Sequence, residues 1–205
     1  MIKSVAGQRL DAVIHRLFPF LFYWRLDPNA LTVVGALVSV AAAVAFAQGR
    51  FALAGCLMLF GGFFDLVDGV VARHQGTSSR FGAFLDATLD RLSDMVLLLG
   101  ICVYYATVRE PGHVALAGAA LLVSVLVSYS KARAELVVPG FSIGLFERGE
   151  RVAVLAAGAL FGVLVPALWL ITAGSTITVA QRFALAYREM ERLDRAEQEP
   201  LETTR

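Results

Sequence analysis

Charged residues are scarce in this sequence. Only 17% of its 205 residues are Asp, Glu, Lys or Arg, and 58% are hydrophobic. An ordinary soluble domain is about a quarter charged and about half apolar, so this balance excludes that class. It is typical of an integral membrane protein, in which each helix needs about 20 mostly apolar residues to cross a bilayer core about 30 Å thick.

Cysteine and histidine are also sparse, with two and three copies. Cys56 and Cys102 both lie in apolar segments, which favours packed free thiols over a disulfide or a metal-binding pair. Internal repeats and long linkers are lacking, so we expect a single domain over residues 1–205. We expect no cleavable signal peptide, because the first residues do not combine a short apolar core with a small-residue cleavage site.

Six apolar segments predict membrane-spanning helices. They cover residues 31–48, 51–71, 81–108, 113–131, 152–168 and 170–187. The last two are the hardest to separate, and Pro166 and residues 173–175 are the turn material expected between them. The predicted fold is therefore an all-α integral membrane protein, with six transmembrane helices in a domain over residues 28–188.

The distribution of lysine and arginine predicts the orientation in the membrane. With a cytoplasmic N-terminus, 15 of the 18 basic residues fall on the cytoplasmic side and Arg91 falls within a span. Only Arg50 and Arg109 fall on the opposite side. Cytoplasmic loops of membrane proteins are enriched in Lys and Arg, so we expect both termini and the functional site in the cytoplasm of a multi-pass protein of the cell (inner) membrane.

Both ends of the chain are predicted to lie outside the spans. Residues 1–27 mix basic and bulky apolar side chains, which favours an amphipathic helix lying in the cytoplasmic interface and interrupted at Pro19. The alternative is a simple lead-in to the first span. Residues 189–205 are highly charged and are expected to form a frayed cytoplasmic tail.

Four aspartates break the apolar pattern. Asp65 and Asp68 are three residues apart near the end of the second segment, and Asp86 and Asp90 are four apart in the third. Each pair therefore shares a helix face. One carboxylate at membrane depth costs at least ~2.5 kcal/mol, so four of them need a common reason. Two such faces joined by a short hairpin would form a carboxylate cage.

Such a cage suits divalent metal ions. Carboxylate oxygens without a His or Cys ligand set favour magnesium, manganese or calcium over zinc. Two ions about 4 Å apart could clamp a phosphate oxygen during an in-line displacement. Gly69 and Gly82 would leave room for a pyrophosphate, although helix packing explains Gly69 equally well, and Arg73 could bind a phosphate. For Asp94 we expect an ion pair, with Arg91 nearby on the same helix, or support of the cage.

The spacing from Asp65 to Asp90 reads D-x-x-D-G-x-x-A-R-x8-G-x3-D-x3-D. This pattern resembles the motif of the CDP-alcohol phosphotransferases. The resemblance implies a six-helix membrane domain, usually a homodimer, with a two-metal site holding Mg²⁺ or Mn²⁺. It implies that all four aspartates bind metal and that Asp90 is also the general base. The residues that would line the CDP-lipid are Asp68, Gly69, Ala72, Arg73 and Gly82.

Two further elements are similar to nucleotide contacts in that family. Pro28 and Thr32 form a short P-x-x-x-T element that closes over the cytidine in relatives, and Ser79 stands where a hydroxyl residue meets the nucleotide. An ordinary helix start explains Pro28 and the apolar run after it equally well.

The second half of the chain indicates which alcohol would accept the group transferred from the CDP-lipid. Basic groups from three helices are expected to converge on the cytoplasmic side, where arginine forks match phosphate oxygens. These groups lie in three sequence motifs, S-Y-x-K-A-R-A-E, E-R-x-E-R and Q-R. The set resembles the corresponding motifs of the phosphatidylinositol phosphate synthases. The resemblance implies transfer of a phosphatidyl group from CDP-diacylglycerol to myo-inositol phosphate. The residues it implies for the acceptor phosphate are Ser128, Lys131, Arg133, Arg151 and Arg182.

Three alternatives stay open on the sequence. Basic cytoplasmic helix ends could contact anionic lipid instead of an acceptor. The same chemistry could use glycerol 3-phosphate or another polar alcohol as the acceptor. Intramembrane carboxylates could also belong to a divalent-cation transporter, although a permeation path would spread them across the bilayer.

Overall fold

A computed structural model describes residues 27–75, 79–141 and 143–202, and within these ranges the chain is all-helical without strands. The predicted interfacial helix of residues 1–27 lies outside this part except for its last residue. The six helices are α1 Pro28–Ala47, α2 Phe51–Gln75, α3 Arg80–Thr107, α4 Pro111–Glu135, α5 Arg148–Leu160 and α6 Leu164–Glu202.

The first helix and the third begin at side-chain caps. Asp27 precedes α1 and its carboxylate accepts a hydrogen bond from the backbone N–H of Asn29 at 3.0 Å, while Pro28 occupies a position that needs no N–H donor. Ser79 precedes α3 and accepts from the N–H of Gly82 at 2.9 Å. These caps fix where the helices start, close to the predicted starts at residues 31 and 81.

The helices pack around a shared apolar core. Helix α1 packs on α2 and α3, α4 packs on α3 and α6, and α5 lies between α2 and α6. Phe46, Ile101, Leu168 and Ile171 are fully buried at the centre. Many large apolar side chains face outward, as expected of a surface in contact with lipid tails.

Among the helices that the structure describes, three are long and apolar enough to cross a membrane: α1, α4 and the part of α6 up to Arg195. The first part of α2, Phe51–Asp65, is a shorter apolar helix. These features confirm an all-helical protein with several apolar helices.

The predicted turn between the last two helices is wrong. Helix α5 ends at Leu160 and α6 begins at Leu164, so the turn lies at residues 161–163. Gly162 has φ 71°, a left-handed conformation that glycine adopts without strain. Pro166 lies in the first turn of α6, where its missing N–H costs nothing, and residues 173–175 continue the helix.

The predicted tail is helical over most of its length. Helix α6 continues to Glu202, through most of the segment expected to fray. Arg195 and Glu191 form an ion pair one turn apart on this exposed part of the helix, an arrangement that supports helices locally.

Candidate active site

A cavity of about 230 Å³ lies between helices α3, α4, α5 and α6. Its lining combines five cationic and four acidic side chains. The acidic side chains are Asp86, Asp90, Asp94 and Glu147, and the cationic ones are Arg91, Lys131, Arg148, Arg151 and Arg182. Carboxylates spaced four residues apart on α3 therefore face basic groups carried by the other three helices.

Arg148 joins the carboxylates of two helices. Its Nη2 donates to Asp65 Oδ2 on α2 at 3.1 Å, and its Nη1 lies 2.9 Å from Asp90 Oδ1 on α3. Asp65 and Asp90 are 25 positions apart in sequence, yet their oxygens flank one guanidinium. The structure thus brings together members of both predicted pairs at a single cationic group.

The chemistry of these donors fits a hard divalent ion. Carboxylate oxygens are the ligands that magnesium and manganese prefer, and Asp65 and Asp90 present theirs from two helices to one guanidinium. Among the side chains that the structure describes, no three carboxylate, imidazole or thiol groups lie close enough to share an ion. The side chain of Asp68, the fourth predicted ligand, is outside that described set.

Asp94 pairs across the site and not along its own helix. Its Oδ2 lies 2.7 Å from Arg151 Nη2 and its Oδ1 lies 3.5 Å from Arg148 Nε. The expected partner Arg91 instead donates through Nη1 to the carbonyl of Ala87 on its own helix. The reason is that the buried guanidinium of Arg151 requires a countercharge, whereas Arg91 is exposed.

The predicted acceptor residues fall into two groups. Ser128, Lys131, Arg151 and Arg182 all line the cavity. Arg133 is exposed on α4 and is not part of the lining. Residues two apart on a helix point in different directions, which explains why Lys131 and Arg133 separate. Lys131 also lies 4.0 Å from Glu135, one turn further along the helix.

Arg182 donates hydrogen bonds to two backbone carbonyls. It is 2% exposed. Its Nε donates to Ile143 O at 2.8 Å, its Nη1 donates to Val127 O on α4, and its Nη2 lies 3.6 Å from Glu147. Arg182 therefore ties the α4–α5 connection to α6 and also contributes positive charge to the cavity.

The predicted nucleotide residues lie on the neighbouring helices α1, α2 and α3. Thr32 is buried on α1 and its hydroxyl donates to Pro28 O at 3.0 Å. Ser79 and Gly82 form the cap of α3, close to Asn29 of α1. The backbone of Gly69, Ala72 and Arg73 is helical within α2, and their side-chain environment lies outside the described part.

Sequence reasoning missed Arg148 and Glu147 as site residues. Both belong to the E-R-x-E-R segment, in which Arg148 is three positions before Arg151 and so shares its helix face. Two arginines in the first turn of α5 oppose the helix dipole, which favours acidic groups there, and Glu147 and Glu150 at the same end offset only part of that effect. Such an unfavourable placement is a signal that the arginines face a carboxylate or an anion.

Comparison with known proteins identifies the family. Residues 25–188 match the family model described as CDP-alcohol phosphatidyltransferase. The archaetidylinositol phosphate synthase of Pyrococcus horikoshii is 38% identical over 167 residues, covering 81% of this chain and 86% of that protein. The phosphatidylinositol phosphate synthase of Streptomyces avermitilis is 35% identical over 211 residues, covering 96% and 86%.

Solved structures agree with this assignment. A crystal structure of the Mycobacterium tuberculosis phosphatidylinositol phosphate synthase with CDP-DAG bound has a TM-score of 0.74 at 31% identity, covering 88% of this chain and 93% of that chain. A second structure of that enzyme, in complex with manganese and citrate, has a TM-score of 0.75 at 31% identity, with 88% of each chain covered. These matches favour the enzyme interpretation over the cation transporter. The chain belongs to the CDP-alcohol phosphatidyltransferase family, and it is a membrane transferase of phospholipid biosynthesis that resembles the phosphatidylinositol phosphate synthases.

Proposed function

We propose that this protein transfers a phosphatidyl group from CDP-diacylglycerol to myo-inositol phosphate and releases CMP. The observation that carries the proposal is the distribution of charge in the cavity, where the carboxylates belong to α3 and the basic groups Lys131, Arg151 and Arg182 belong to the other helices. An acceptor with a hydroxyl at one end and a phosphate at the other matches that division of charge. Relatives named for inositol phosphate products support this choice of acceptor.

Asp90 is the proposed general base. Arg148 forms an ion pair with one carboxylate oxygen of Asp90, Oδ1, and the other oxygen, Oδ2, is the proposed proton acceptor. Asp90 takes the proton from the attacking inositol hydroxyl, and the alcohol oxygen forms a bond to the phosphorus that carries diacylglycerol. The bond from that phosphorus to the CMP oxygen breaks, and CMP leaves with the electron pair. The acceptor phosphate stays bound by Ser128, Lys131, Arg151 and Arg182, whereas Arg133, which is exposed outside the lining, is assigned no contact with it.

The proposed metal ligands are Asp65, Asp68, Asp86 and Asp90. Two Mg²⁺ or Mn²⁺ ions held there would supply positive charge to the pyrophosphate and to the departing CMP. The manganese in the mycobacterial neighbour supports a divalent ion. Pro28, Thr32, Gly69, Ala72, Arg73, Ser79 and Gly82 are the proposed contacts of the CDP-lipid.

We also propose the arrangement in the membrane. Six transmembrane helices over residues 28–188 would form the catalytic domain of a single-domain homodimer, with residues 1–27 as an interfacial helix and residues 189–205 as a cytoplasmic tail. The asymmetry of Lys and Arg supports a site that faces the cytoplasm. The apolar helices and outward-facing apolar side chains support a multi-pass protein.

A panel of acceptors tests the function. The purified protein is incubated with CDP-diacylglycerol and Mn²⁺ or Mg²⁺ and with myo-inositol phosphate, free myo-inositol, glycerol 3-phosphate or no acceptor. Released CMP is measured and the lipid product is identified by mass. We expect CMP and phosphatidylinositol phosphate with myo-inositol phosphate, and loss of both when the metal is chelated. If the protein made phosphatidylglycerol phosphate from glycerol 3-phosphate and released no CMP with myo-inositol phosphate, the proposed acceptor would be refuted.

A further inference from the structure

Asp94 lies just beyond the motif that the proposed chemistry uses. It follows Asp90 by four residues, so it occupies the same face of α3 one turn further into the helix. Its side chain is 12% exposed and lines the cavity. A carboxylate so placed would repel an anionic acceptor unless its charge were compensated.

Asp94 forms one close and one looser ion pair with arginines. Oδ2 lies 2.7 Å from Arg151 Nη2, and Oδ1 lies 3.5 Å from Arg148 Nε. The Arg151 side chain is 5% exposed. A buried guanidinium needs a countercharge in good geometry, and Asp94 supplies it. A weaker bond of 3.4 Å from Arg151 Nη1 to the carbonyl of Phe146 also restrains the guanidinium.

Asp94 also connects the two halves of the cavity. Arg148, which it contacts, lies 2.9 Å from Asp90 and 3.1 Å from Asp65. A continuous chain of ion pairs therefore runs from Asp90 through Arg148 and Asp94 to Arg151. Such a chain fixes the distance between the group that accepts the hydroxyl proton and the group that binds the acceptor phosphate.

We propose that Asp94 is a positioning residue for the acceptor. It holds the guanidinium of Arg151 at the cavity wall so that donors not bonded to Asp94 face the acceptor phosphate. It acts through Arg151 and Arg148 and does not touch the reacting atoms. This inference rests on the proposed function, because it assigns an anionic acceptor to the basic side of the cavity.

The test compares Asp94→Asn with Asp194→Asn, a matched change at an exposed position of α6. Asparagine keeps the size and one acceptor oxygen of Asp94 but removes its charge. We expect the KM for the acceptor to rise roughly ten-fold, equivalent to about 1.4 kcal/mol. The KM for CDP-diacylglycerol should stay within about two-fold of wild type, because Arg151 is assigned to the acceptor and not to the lipid. The kcat should stay within about five-fold, because Arg148 keeps its contacts with Asp90 and Asp65 when the 3.5 Å contact with Asp94 is weakened. Asp194→Asn should leave all three constants unchanged.

Two further measurements separate positioning from a general structural role. Asp94→Glu restores the charge and should recover part of the lost acceptor affinity, which also keeps the test decisive if Asp94→Asn is poorly folded. Inorganic phosphate should raise the Tm of the wild type in detergent by more than it raises that of Asp94→Asn. An equal rise in both KM values, a loss in kcat alone, or unchanged constants would overturn the proposal.

The same experiment distinguishes a failure of the proposed function. If the wild type uses glycerol 3-phosphate instead of inositol phosphate, the acceptor identity is wrong, and the KM comparison is repeated with the alcohol that reacts. A selective rise in that KM still supports the role of Asp94. If inorganic phosphate stabilises neither protein, the basic side of the cavity is not an anion site and the role of Asp94 fails.

Discussion

Replacing Asp90, the proposed general base, should have the largest effect of any single substitution on turnover. Asp90→Asn keeps the shape of the group but removes its capacity to accept a proton, so we expect CMP release to fall by roughly 10²–10⁴-fold. Mn²⁺ binding, measured by calorimetry, should weaken but persist, because the other three proposed ligands, Asp65, Asp68 and Asp86, remain. Near-normal turnover of the purified variant would show that another group is the base.

Arg182 should matter for stability as well as for substrate binding. Lysine cannot reproduce the fork that reaches Ile143 O, Val127 O and Glu147, so Arg182→Lys removes the donor to Ile143 O, whereas Val127 O keeps its hydrogen bond from the Ser130 hydroxyl. Each unsatisfied buried group costs about 1–3 kcal/mol. We expect a clearly lower Tm in detergent. Arg192→Lys, an exposed change on the same helix, is the control, and equal Tm values for the two variants would contradict this account.

Helical periodicity was sufficient to predict part of the site. The four-residue spacing placed Asp86 and Asp90 on one face, and both line the cavity. The partners of those carboxylates were not predictable in the same way, because Asp65 and Arg148 are 83 positions apart and meet only through tertiary packing. The sequence also favoured Arg91 as the ion-pair partner of Asp94, because the two are close on one helix. In the structure Asp94 pairs with Arg151 instead, because the buried guanidinium of Arg151 needs a countercharge.

Among the helices, the contact between α1 and α3 is especially close. A Cβ added to Gly100 of α3 would lie 2.9 Å from the carbonyl carbon of Ala43 on α1, which is rigid backbone. Gly100→Ala should therefore separate the two helices and cost about 1–3 kcal/mol, measured as a lower Tm in detergent. Gly118→Ala on α4 is the control, since nothing lies within 4 Å of the added methyl group. A Tm as high as that of the control would show that the helices adjust freely.

Helix existence was more predictable than helix boundaries. Apolar length alone indicated six segments, and all six correspond to helices. The division between α5 and α6 was misplaced because Pro166 was interpreted as a turn residue, although proline is also favourable in a first helical turn. Residues 173–175 looked like a turn by composition, but Gly174 provides space for the ring of Phe146, 2.7 Å from an added Cβ.

For the whole molecule, the charge asymmetry predicts which end faces the cytoplasm. In a variant with Cys56 and Cys102 replaced, we expect Arg195→Cys in intact spheroplasts to react with a membrane-impermeant maleimide only after permeabilisation. Arg50→Cys, between α1 and α2, is the matched control and should react before it. Both probes are exposed, so access depends on the membrane alone. The reverse pattern of labelling would invert the proposed orientation.

Helix α5 is only 13 residues long. At 1.5 Å per residue it extends about 20 Å, roughly two thirds of the thickness of the bilayer's hydrocarbon layer. If the last turn of α5 reaches one surface of the membrane, a helix this short begins well below the opposite surface. Arg148 and Arg151 in its first turn would then lie below the level of the lipid headgroups. Water would have to reach these arginines for the proposed polar acceptor to bind there, while the acyl chains of the lipid substrate could stay in the hydrocarbon layer.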